Sequence, residues 1–192
     1  GFEIENETVS EWVWDLWNQN RMDYTQGVIH TETVMLGDSY ILCDWDEVRE
    51  RPRWTHQVAE MILPHYDEAR REIDWVSKKW LQHPDLGDET RLNLYYPDRV
   101  EKYVARGGVW AKYRDEDDEA WPVPWLDRAS QPLGIPFIHF RNRPMGSDYG
   151  QSEIINVIPM QDLLNKTLID LTMILDTLAF PQRYTINVNH GS

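Results

Sequence analysis

One cysteine in 192 residues excludes an intrachain disulfide and a cysteine-built zinc site. That residue, Cys43, lies in the apolar run at 40–43 and reads as a small buried side chain rather than a nucleophile. Basic residues are also scarce: 19 Lys and Arg stand against 33 Asp and Glu, a formal net charge of −14. A surface so short of cations argues against tight sequence-independent phosphate binding, which depends on Lys and Arg neutralising the nucleic-acid backbone. No run reaches the roughly 18 apolar residues of a membrane span, because each long apolar segment carries Asp, Glu or Lys. The start, GFEIENETVSEW, has neither a basic n-region nor an apolar h-region, so no secretory signal is visible. It begins abruptly, and the end follows directly on a strand start, so the chain reads as a fragment of a longer protein.

Motifs of chemistry are missing too. The histidines at 30, 56, 65, 83, 139 and 190 form no HExxH and no His-x-His pair, and His30 has no second ligand at i+4. No Gly-x-Ser-x-Gly elbow occurs; Ser152, in Gly150-Gln-Ser152-Glu-Ile, has a ready role as a helix cap. Asp44, Asp46 and Glu47 lack the spacing, glycine and terminal Glu of a calcium loop and read as a solvated turn. The acidic run Asp115–Glu119 reads as solvated surface. No catalytic, cofactor-binding or metal-binding residue is assigned, and the chain is expected not to be an enzyme.

What is present is a globular composition, 41% apolar and 27% charged, sufficient for one cored domain over residues 1–192. Ten Trp and nine Tyr are many. They suit buried or interfacial aromatics, or else a sugar-stacking platform, for which Trp121 and Trp125 in a Pro-rich loop are the best candidates. A carbohydrate-binding or carbohydrate-active module, with carboxylates beside such rings, is therefore the alternative function.

Periodicity orders the chain. Val9, Trp12, Val13 and Leu16 behind a Thr8–Glu11 capping box predict a helix over 8–20. A second helix follows, with Met22, Val28 and Ile29 inward and Gly37 as its stop. Residues 38–45 predict a strand buried on both faces. A strand over 57–63 ended by Pro64, an irregular partly alternating stretch over 69–82 and a turn cluster at 83–88 come next. Alternating runs at 91–96, 99–105 and 109–113, the last two joined by Gly107-Gly108, predict antiparallel hairpins. Residues 115–132 read as an exposed loop, and 134–140 as a buried strand with Pro136 marking an edge or a strand start. The loop at 141–146 carries Arg141 and Arg143, which, like Ser152, read as structural. Leu164, Leu168, Leu171, Leu175 and Leu178, at spacings of 4, 3, 4 and 3, form a seam on a helix beginning near Pro159 and ended by Pro181. That seam is expected to bury in its own core, with contact to a neighbouring subunit as the other use. A strand then starts near Arg183. The fold class is α+β: N-terminal helices, a central mostly antiparallel sheet and a long C-terminal amphipathic helix.

Three features resemble the portal proteins of tailed bacteriophages and prophages, in particular the large Gram-positive-phage-like family. The first is Trp17-x-x-Asn20, its following helix, and the Gly37-Asp-Ser-Tyr-Ile-Leu42 turn into a strand. The second is the Leu94-Tyr-Tyr-Pro-Asp-Arg-Val-Glu-Lys-Tyr103 hairpin lead-in. The third and sharpest is GIPFIHFRNRP, GQSEIINVIPMQDLLNKTLID and an Ala-Phe-Pro-Gln-Arg exit, in that order over 134–183. The resemblance implies a wing or body region of a non-catalytic subunit in the head-to-tail connector ring through which DNA is packaged and ejected, with stem, clip and crown outside this sequence. It also implies a homo-oligomer of about a dozen copies, partnered by capsid, terminase and head-completion proteins. DNA would pass through without sequence specificity, and neither a cofactor nor a membrane is involved. The location implied is the virion, and the host cytoplasm during assembly.

Overall fold

The computed structural model describes residues 7–82, 89–116, 118 and 120–179. Two helices come first, α1 (Glu7–Gln19) and α2 (Met22–Leu36). Strands β1 (Asp38–Asp46), β2 (Arg51–Gln57), β3 (Ile62–Tyr66), β4 (Ile73–Gln82), β5 (Glu89–Tyr95), β6 (Arg99–Arg106), β7 (Val109–Lys112), β8 (Val123–Pro124) and β9 (Phe137–Arg141) follow, then α3 (Ile158–Ala179). This is the predicted α+β class. By contact density the chain divides into residues 1–153 and 154–192, where the sequence suggests one domain.

Within the first unit the strands form two antiparallel sheets, one ordered β2-β1-β9, the other β3-β4-β5-β6-β7 with β8 on β6. β1 is central and buried on both faces for a simple reason: alternate side chains point to opposite sides. Tyr40 and Leu42 join Ile62, Val76, Tyr95, Val100 and Phe137 in the main core, which draws on both sheets. Ile41 points the other way, to Met22 and Ile29 of α2, with Trp17, Cys43, Trp54 and Phe140 packed around them.

Local chemistry fixes the corners. Gly37 ends α2 at φ 98°, a backbone angle costly for any residue with a Cβ, and its N–H caps the Thr33 carbonyl at 2.9 Å. Asn20 turns the chain between the helices. Its amide donates to the Leu16 and Pro52 carbonyls at 2.9 and 3.3 Å, and its side-chain oxygen accepts the Trp54 N–H at 2.9 Å. The Asn of Trp17-x-x-Asn20 thus ties the helical corner to β2. Gly107 and Gly108, at φ 56° and 82°, make the predicted β6–β7 turn.

Several expectations are corrected. The strand placed over 57–63 is two pieces: β2 ends at Gln57, one 3-10 turn spans Ala59–Met61, and β3 begins at Ile62. Pro64 does not end that strand but lies inside β3, buried, which is possible because β3 is the sheet's edge. β2, Arg-Pro-Arg-Trp-Thr-His-Gln, has no apolar periodicity to announce it and forms by pairing with β1. The loop at 115–132 holds β8 and a Leu126–Pro132 bridge. The turn at 83–88, Asp117, Glu119, the Pro181 exit and the strand after it lie outside the described residues.

Candidate functional site

The segments that carry the sharpest sequence signals converge at one end of β1. Gly37 and Gly150 cross so closely that a Cβ on Gly150 would sit 2.7 Å from the Asn142 nitrogen and nearer still to the Gly37 carbonyl oxygen. Asn142 holds the crossing: its N–H donates to the Gly37 carbonyl at 2.8 Å, its carbonyl accepts the Gln151 N–H at 2.7 Å, and its amide donates back to the Gln151 carbonyl at 2.7 Å. The Gly150 N–H donates to the Asp38 carboxylate at 2.8 Å.

Asp38 also accepts from His139, at 2.7 Å from Nε2, while the Tyr66 hydroxyl lies 2.6 Å from Nδ1. An ionised carboxylate only accepts, so Nε2 carries the proton and Nδ1 accepts from Tyr66. Tyr40 stacks on the imidazole at 4.5 Å between ring centres, and the Tyr149 hydroxyl donates to the Pro64 carbonyl at 2.7 Å. Burial holds the His139 pKa below its ordinary value despite the Asp38 hydrogen bond, and burial raises those of Tyr66 and Tyr149. The His139 side chain is 3% exposed with both nitrogens engaged inside the protein, so it has no free position for a substrate's proton. The network joins β3 of one sheet to β1 and β9 of the other. Its chemistry is a latch.

The sequence candidates fall into similar structural roles. Ser152 donates its hydroxyl to the Met35 carbonyl at the end of α2. Arg143 pairs with Glu153 at 3.0 Å, and Arg141 lies 5.9 Å over the Tyr66 ring. Cys43 is half-buried beside Met22 and Ile41, and burial raises its pKa. Asp44 pairs with Arg53, and Asp46 binds the Arg49 N–H and guanidinium at 3.0 Å, so this acidic cluster closes the β1–β2 hairpin. In the 115–119 run, the Lys102 ammonium sits between Asp115 and Asp118 at 2.6 and 2.7 Å. Burial alone would raise the Asp115 pKa and lower that of Lys102; their pairing overrides both. Among the described residues no group of three acids, histidines or cysteines could hold a metal ion.

Trp121 and Trp125 are not the exposed platform expected of them. Both are half-buried, and their indole N–H groups donate to the Lys102 and Gly134 carbonyls at 2.9 and 2.8 Å. Trp121 meets Tyr103 edge-on and Trp125 packs on the main core. Of the histidines, His56 bonds Glu32 at 2.5 Å, His65 stacks on Trp75, and His30 is exposed on α2; His83 and His190 lie outside the described residues. His139 carried no motif because its partner Asp38 is 101 residues away, brought near only by the β1–β9 register.

The second unit offers a surface rather than a network. The seam expected in a core is instead open: no residue of α3 is buried, and Leu164, Leu168, Leu171, Leu175 and Leu178 are 49–68% exposed. At 3.6 residues per turn, Met160, Leu163 and Ile174 extend the seam into an arc of about 140°. Asp162, Asn165, Lys166, Asp170 and Asp176 stand on the remaining circumference. No helix among the described residues is long and apolar enough to cross a membrane.

A family model described as phage portal protein, SPP1 Gp6-like, matches residues 1–189. No curated protein matches the chain.

Proposed function

The chain belongs to the phage portal protein family, SPP1 Gp6-like, and we propose that it acts as the non-catalytic wing or body of a connector-ring subunit. In this reading residues 1–192 serve one role although they divide into two compact units. The observation that carries it is the α3 arc. A helix of 22 residues is about 33 Å long, and its eight apolar arc residues, 49–71% exposed, present on the order of 800 Å². The largest apolar patch on a monomer is roughly 300–600 Å², whereas one side of a specific interface is about 800 Å². An arc wider than a two-stranded seam suits a helix placed against more than one neighbour. A head-to-tail ring supplies two neighbours to every copy.

Its partners would be further copies of itself, in a ring of about a dozen, with capsid, terminase and head-completion proteins around it. DNA would pass through without sequence recognition, in the virion and, during assembly, in the host cytoplasm. Sedimentation velocity and native mass spectrometry over a concentration series test the proposal. A closed oligomer of many copies is expected; a monomer at every concentration would overturn it. The carbohydrate-binding alternative has lost its Trp121–Trp125 platform and gains no other observation.

A further inference from the structure

On one face of the second sheet a cavity of about 300 Å³ opens among Trp80 of β4, Arg91, Asn93 and Tyr95 of β5, Lys102 of β6, and Trp125. The cross-strand register sets this grouping, since Trp80 pairs with Arg91 and Asn93 with Lys102. Charges here are mostly satisfied. Lys102 is held by Asp115 and Asp118, and the Asn93 amide donates to the Tyr95 hydroxyl at 3.3 Å. Arg91 is paired as well but leaves one donor over. Its side chain is only 9% exposed and its guanidinium lies 3.3 Å over the Tyr113 ring. Glu89 bridges two arginines, pairing with the Arg91 guanidinium at 3.5 Å through one oxygen and with Arg106 at 2.6 Å through the other. The buried Nε of Arg91 has no acceptor among the described residues. A buried guanidinium donor without an acceptor carries the full cost of its lost water and marks a place where an acceptor belongs.

We propose that this cavity binds a compact monocarboxylate on a flat apolar stem, the carboxylate engaging Arg91 and the stem lying between Trp80 and Trp125. The guanidinium is a planar fork that matches a carboxylate's two oxygens. The two indoles favour a flat stem over a hydrated one. The Glu89 and Asp115 carboxylates beside Arg91 disfavour a second negative charge, which selects against phosphate. A free small acid and an acidic side chain of a peptide share the carboxylate that engages Arg91. The proposal is independent of ring assembly, because α3 takes no part in it.

The test titrates the protein with benzoate, its neutral isostere benzamide, inorganic phosphate and N-acetylglutamate amide, following tryptophan fluorescence. Benzoate is expected to give a saturable change, with benzamide and phosphate at least about tenfold weaker. Arg91→Met should weaken benzoate by about tenfold or more, while Arg91→Lys keeps part of the affinity. N-acetylglutamate amide binding as tightly as benzoate would support a peptide side chain as the source; weaker binding would support a free acid. The inference is overturned if benzoate gives no saturable response, if benzamide or phosphate binds equally well, or if Arg91→Met leaves binding unchanged. The comparison of benzoate with benzamide uses the unaltered protein, so it stands even if a variant fails to fold.

Discussion

At Gly150 the absence of a side chain is the specification: the backbone of Gly37 passes where a Cβ would stand. Gly150→Ala forces two well-bonded backbones apart and should destabilise the first unit by about 1–3 kcal/mol. Urea unfolding measures this, and an unchanged midpoint would show that the crossing relaxes freely. His139 makes a different prediction. Its pKa in the fold is depressed below 6.5 by burial, so above that pH the imidazole is neutral both folded and unfolded, and its contribution is whole. As pH falls below 6.5 the unfolded chain takes up a proton that the fold resists, and stability declines until the pH has passed through the folded pKa. His65, also depressed by burial, adds to the same decline. His139→Gln should therefore flatten the dependence of stability on pH below about 6.5 without abolishing it, and equal slopes would rule out the latch as its source. None of this was legible in the sequence. Asp38 and His139 lie 101 residues apart, and a glycine's necessity depends on what crosses it.

Elements announce themselves when their cause is local. α1, α2 and the β6–β7 hairpin were readable because an apolar period, a terminal Gly37 and a Gly-Gly turn all lie within a few residues of what they specify. β2 and β3 were not, since a polar, proline-bearing strand exists only through its neighbour's backbone. α3 was readable as a helix but not as an exposed one. Periodicity says that a face wants covering; it does not say by what. Leu168→Asp follows from that distinction. Because Leu168 is 52% exposed, the substitution should leave unfolding of the first unit within about 0.5 kcal/mol while self-association by sedimentation is lost. Loss of the fold would instead return the seam to an intramolecular core.

For the whole molecule the governing quantity is charge. With a formal net charge of −14, the protein also spends Arg49, Arg53, Arg99, Lys102, Arg106 and Arg143 on its own carboxylates. With 33 acids against 19 bases, an approaching phosphate backbone meets net repulsion rather than a cationic face able to displace its counterions. Duplex DNA should therefore bind weakly if at all, with little change in retention between low and moderate salt. Tight binding with a steep salt dependence would contradict a role as a passive conduit. The sheet edge at β3 bears on assembly in another way. Pro64 has no N–H to offer an incoming strand, and its ring lies within an edge strand that the latch ties down. Copies are thus denied the cheapest route to indefinite growth along this border, that of extending one another's sheets. A chain that closes this border while leaving a helix uncovered directs any neighbour to the helix rather than to strand addition.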